Sequence, residues 1–192
     1  MKKLIVSVIF CFCVLGFCET AVFAQVQFKV LATNKTSTME KELNEAASDG
    51  FRYEGVTGGK TSFGGSEVLV ILSKHENSNA GRFQYKLLAT SKTSTMQKEM
   101  QQAGNEGFEY KGQTVFNSTF GGDEVVVILE RDNKAEIIKY EYQLLATSKT
   151  STMQKELSEA GAQGFEYVGV TVGQTAIGGS EVVVILRRGL KP

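Results

Sequence analysis

The sequence predicts an α+β fold made of three tandem βαββ modules, on three observations. A block of residues recurs at a constant 57-residue step, the hydrophobic period within each block changes from that of a strand to that of a helix, and each block closes on a run apolar on both faces. Each module is expected to form a three-stranded antiparallel sheet of order 1-3-2 with one helix on one face.

The repeat is carried by Phe28 to Met39, Tyr85 to Met96 and Tyr142 to Met153, which match almost residue for residue. Ala32, Ala89 and Ala146 keep the step, as do Gly65, Gly122 and Gly179, so no insertion separates the copies. Within the first block, Phe28, Val30 and Ala32 alternate on one face of a first strand. Ser37 with Glu40, Ser94 with Gln97 and Ser151 with Gln154 then have the spacing of capping boxes, each cap contributing about 1 kcal/mol at a helix start. Met39, Leu43, Ala46 and Ala47 form a helical stripe. Gly50, Gly107 and Gly164 supply the left-handed residue that ends the helix, followed by Phe51, Phe108 and Phe165 as the closing apolar contact.

A second strand begins at Phe51-Arg52-Tyr53, Phe108-Glu109-Tyr110 and Phe165-Glu166-Tyr167, with one aromatic face. The pairs Gly64-Gly65, Gly121-Gly122 and Gly178-Gly179 read as hairpin glycines. The third strand is Val68 to Leu72, repeated as Val125 to Leu129 and Val182 to Leu186, and its two apolar faces place it at the centre of the sheet. The resulting layout is a leader over 1–24, modules over 25–73, 83–131 and 140–188, linkers over 74–82 and 132–139, and a tail over 189–192. A lone module of this size buries only about 60% of the surface its unfolded chain exposes, so the modules are expected to pack on one another. A row of three and a ring about a pseudo-threefold axis both satisfy the sequence.

The first 24 residues read as a secretory signal peptide: Lys2 and Lys3, an apolar run from Leu4 to Phe17, and small Ala24 before the expected cut at Gln25. The apolar run is shorter than the roughly 18 to 20 residues that span a bilayer. Leu15-Gly16-Phe17-Cys18 has the outline of a lipoprotein signal, but bulky Phe17 stands where a small residue is needed. Cys11, Cys13 and Cys18 all fall in this leader, so the exported chain is expected to have neither disulfides nor thiolate chemistry. Export places it in the periplasm or outside the cell. The chain has 21 basic and 21 acidic residues, which argues against nucleic acid as a partner.

The usual catalytic sets are missing from the sequence. His75 is the one histidine and lies in a polar linker, so no triad, Cys-His pair or histidine metal cluster can form, and no phosphate-loop or other cofactor motif occurs. One constellation remains. The end of the first strand, the helix start and the start of the third strand share one end of the sheet, which groups Lys35, Ser37 and Glu67, then Lys92, Ser94 and Glu124, then Lys149, Ser151 and Glu181. Free N–H groups at a helix start beside a lysine suit an anion such as a phosphate, carboxylate or acidic sugar. The plainer reading is that the hydroxyls cap the helix while lysine and glutamate pair loosely in solvent. Phe51 and Tyr53 with their repeats can stack on a sugar or peptide, although such a face more often belongs to the core. The segments 58–63, 116–120 and 173–177 read as loops, vary most between copies, and have the tips where partner choice is expected.

The Tyr-x-Leu-Leu strand, the helix ending in Gly-Phe-Glu-Tyr and the closing Val-Val-Ile-Leu strand together resemble the small bacterial proteins called domain of unknown function 4177. Phe51, Phe108 and Phe165 stand where those proteins carry Trp. The resemblance implies a βαββ fold and no activity. The expected function is a non-catalytic binding or structural module, its partner an anionic small molecule, a glycan or a protein. The alternative is an enzyme or anion-binding protein using the Lys, Ser/Thr and Glu groups.

Overall fold

The structure is a computed structural model that describes residues 25–61, 65–118, 122–174 and 180–190. The proposed leader with its cysteines, Gly64, Gly121, Gly178, Gly179 and parts of the variable segments lie outside the described residues. The first module comprises β1 (Gln27–Thr33), α1 (Thr36–Ser48), β2 (Arg52–Thr61) and β3 (Gly65–Lys74). The second has β4 (Phe83–Thr90), α2 (Thr93–Asn105), β5 (Glu109–Ser118) and β6 (Gly122–Asp132). The third has β7 (Lys139–Thr147), α3 (Thr150–Ala162), β8 (Glu166–Gln174) and β9 (Ser180–Leu190).

Three separate antiparallel sheets form, β1-β3-β2, β4-β6-β5 and β7-β9-β8, with the doubly apolar strand central in each. Thr33 pairs with Val68 and Thr61 with Gly65, so the start of the third strand lies beside the end of the first. Met39, Leu43, Ala46 and Ala47 are buried as one stripe. Gly50, Gly107 and Gly164 take φ of 91°, 83° and 83°. There the Gly50 N–H donates to Ala47 O and the Phe51 N–H to Ala46 O, closing a Schellman turn that the other two modules repeat. Lysine and arginine side chains then lie over the aromatic ring that follows: Lys29 and Lys74 on Phe51, Lys86 and Arg131 on Phe108, and Arg188 on Phe165. The second strands carry a bulge after Tyr53, Tyr110 and Tyr167, which shifts their alternation by one residue. They also run further than the aromatic pattern suggests, so 58–61, 116–118 and 173–174 are strand rather than loop.

One expectation is refined and one is corrected. Phe28, Val30 and Ala32 do share a face, but it is turned away from α1, and Leu31 between them is the buried residue. The capping boxes do not form: the residues before the helices are Lys35, Lys92 and Lys149, none with a side-chain cap. Instead Thr33, Thr90 and Thr147 accept the lysine N–H through Oγ1 at 3.1 Å, and the serines lie exposed inside the first turn. Because the helices begin at Thr36, Thr93 and Thr150, the serines fall past the cap position, which holds also in the third module, where Gln154 has no further sheet to reach, and Glu40 and Gln97 instead serve the open edge of the next sheet.

That edge explains how the modules join. The Leu87 N–H donates to Glu40 Oε2 at 2.8 Å, and Asn44 both accepts the Tyr85 N–H and donates to Tyr85 O at 2.9 Å. At the next junction Gln97 accepts the Leu144 N–H and donates to Tyr142 O, while Gln101 accepts the Tyr142 N–H. α1 and α2 thus each cover their own sheet with one face and satisfy the backbone of the following sheet's edge strand with the other. The cores follow the same rule. Met39, Leu43, Val68, Val70 and Leu72 pack with Tyr85, Phe116, Val126 and Ile128 of the second module. Met96, Met100, Val125, Val127 and Leu129 pack with Tyr142, Val183 and Ile185 of the third. Sheets and helices therefore alternate in a row. Exposed faces at both ends exclude the closed ring.

Candidate functional site

Strand parity turns the third-strand glutamates to the sheet face away from their own module's helix. Val68 and Val70 face α1, so strand alternation sets Glu67 on the opposite face with Leu69 and Ile71, and Glu124 and Glu181 follow the same parity. The consequence is visible at the second junction, where Thr93 Oγ1 at the start of α2 donates to Glu181 Oε1 at 2.7 Å. A carboxylate from the third module thus sits at the helix start where an external anion was expected. Lys35, Lys92 and Lys149 are exposed, as are Ser37, Ser94 and Ser151. The nearest depression, lined by Thr36, Ser37, Glu40, Leu87 and Ala89, is open and holds the acidic Glu40.

The remaining candidates are quickly placed. His75 is exposed in the connector, and its backbone N–H donates to Ser78 Oγ at 2.9 Å. No cluster of three or more potential metal ligands occurs among the described residues. Phe51 and Tyr53 pack against the first core, while the corresponding Tyr167 is exposed. No helix among the described residues is long and apolar enough to cross a membrane.

The strongest polar cluster was not foreseen from the sequence. Glu130 on β6 is buried at the first junction, where its carboxylate accepts from Arg52 Nη2 at 2.9 Å and from Tyr85 Oη at 2.7 Å. Lys111 lies 3.5 Å from Glu130 and 2.9 Å from Glu109, and Glu109 is joined by Arg187 Nη1 at 2.5 Å. Arg52, Glu130, Lys111, Glu109 and Arg187 therefore form one chain of alternating sign that runs from the first module through the second into the third. The Tyr85 hydroxyl also accepts the Tyr53 N–H, and Tyr142 does the same for Tyr110 at the other junction.

The electrostatics describe a clamp rather than a reactive pair. Hydrogen bonding to Glu130 raises the Arg52 guanidinium above its ordinary value, against the opposing effect of burial. Burial opposes ionisation of Glu109, but hydrogen bonds and charge from Lys111 and Arg187 outweigh it and hold the carboxyl below the usual range. Burial, then the Glu130 charge, keeps Tyr85 firmly protonated as a donor. Each charge in this cluster faces an opposite one across a junction between modules. The available sequence signal was charge variation between nearly identical copies: Arg52, Glu109 and Glu166 at one repeat position, Ser73, Glu130 and Arg187 at another.

Comparison with known protein families, curated proteins and solved structures returned no match.

Proposed function

We propose that this chain is an exported, non-catalytic repeat protein that acts in the periplasm or outside the cell as a structural or interaction module. The observation that carries the reading is that the polar groups suited to chemistry serve the chain itself. Glu181 accepts from Thr93 at a helix start, Glu40 and Gln97 hold the next sheet's edge, and the charged chain clamps the junctions. What the molecule offers outward is apolar strand surface at its two ends. The resemblance to domain of unknown function 4177 agrees with a fold used without catalysis.

A thermal-shift titration tests this. Phosphate, glucuronate and nucleotides are expected to leave the melting temperature unchanged, because a ligand of the native state raises it by mass action. A saturable rise that disappears when Lys35, Lys92 and Lys149 are replaced together would establish an anion site and overturn the reading.

A further inference from the structure

Each end of the row exposes the surface that the internal junctions bury. Position by position, Phe28 is 70% exposed where Tyr85 and Tyr142 are each 2% exposed. Val30 is exposed beside it, and Leu69 and Ile71 are half-buried where Val126, Ile128, Val183 and Ile185 are buried. At the other end Val182 is 43% exposed where Val68 and Val125 are buried, and Tyr167 is 63% exposed where Tyr53 and Tyr110 pack inside. Repeat arrays of this kind are kept from associating by polar capping repeats, whereas here the strand surface at each end is apolar, with polar Gln154 and Ser158 on α3 beside it at the third module.

We propose that the open third module of one copy receives the open first module of a second copy, continuing the internal junction from chain to chain. The inference rests on the interaction reading above and names its partner. Continuity with the two existing junctions supplies the argument, because the apolar and glycine parts recur at the ends, while Phe28 replaces the tyrosine and Glu166 and Ser73 replace the charge pair. A Cβ on Gly112 would collide with the Tyr53 hydroxyl and one on Gly169 with that of Tyr110, so these glycines leave room for the preceding module's tyrosine. Gly55, at the same position in the first module, has nothing within 4 Å of its Cβ site, and Tyr167 is the tyrosine without a glycine. Likewise Gly104 in α2 admits the Tyr142 ring, while Gly161 in α3 faces open space that Phe28 would fill. Gln154 holds the position from which Glu40 and Gln97 accept an edge-strand N–H, and β1 presents Val30 at the matching place. Because the two patches differ, the contact is heterologous and builds a row or closed ring of copies rather than a two-fold dimer.

Sedimentation of the protein, purified as the producing cell leaves it, decides the matter over about 1 to 200 µM, the range in which mass action resolves weak association. The expected result is a mass that grows with concentration. Phe28→Asp and Tyr167→Asp, both at exposed positions and checked by circular dichroism, should each give a monomer. An equimolar mixture of the two retains one good end per copy and should form dimers that grow no further. Gly55→Leu, which fills the vacant tyrosine site without touching either aromatic, should also abolish assembly. A wild-type monomer throughout the range overturns the inference, as does assembly broken by one aspartate variant and not the other, or a mixture that stays monomeric. An anion-induced thermal shift would sink the function proposed above while leaving these masses unchanged, so the two ideas fail separately.

Discussion

The two internal junctions share one backbone design and opposite charge. At the first, the preceding module supplies Arg52 and the following one Glu130; at the second, the preceding module supplies Glu109 and the following one Arg187. The tyrosine that reaches back, Tyr85 or Tyr142, is retained in both, but its hydroxyl donates to the Glu130 carboxylate in one and to Phe108 O in the other. Apolar packing that is nearly the same at both junctions cannot tell one module from another. Opposed charges can: a first module set against the third would bring Arg52 to Arg187, so the swap favours the native order among copies that are otherwise nearly alike.

The largest expected effect comes from removing the acid on which the first junction converges. Glu130→Ala leaves Arg52, Lys111 and the Tyr85 hydroxyl without their shared acceptor, and should cost about 3 to 5 kcal/mol in urea unfolding at neutral pH. Next is the reversal Arg187→Glu, which opposes Glu109 with a like charge and should cost about 2 to 3 kcal/mol. Adding Glu109→Arg gives the second junction the polarity of the first and should recover most of that loss; a double-mutant cycle with no coupling would refute the ordering idea.

A smaller contrast separates covered from open positions. Gly112→Ala should destabilise by about 1 to 3 kcal/mol because its Cβ meets Tyr53, as overpacking does elsewhere. Gly55→Ala, with open space around it, should be neutral or stabilising by up to about 1 kcal/mol in thermal melts of dilute protein. The smallest effect concerns acid. Because the folded-state pKa of Glu109 is depressed, its contribution is complete above the unfolded value of about 4.3 and is lost as pH falls through the lower folded value. Denaturation profiles of Glu109→Gln should therefore slope less steeply below about pH 4.5 than those of the parent.

Much of the fold was legible because local periodicity encodes it. The stripe Met39, Leu43, Ala46 and Ala47, the left-handed Gly50 and the doubly apolar Val68 to Leu72 each carry their reason in neighbouring residues. What lay beyond that reading was the use made of surfaces between modules. Ser37 with Glu40 has the spacing of a cap, yet Glu40 contributes more by accepting a backbone N–H 47 residues away that would otherwise lie unsatisfied beneath a helix. The same applies to Glu181, whose neighbours along the chain belong to the third module and whose hydrogen bond belongs to the second. Pairing within one repeat is a matter of spacing, whereas pairing between repeats depends on which sheet face each strand turns to its neighbour.

The shared cores also set an order in time. A ribosome delivers Leu31, Met39 and Leu43 well before Phe116, Val126 and Ile128, the residues that close over them. Until the second module folds, the outer side of the first helix is therefore uncovered, and each later module completes the one before it.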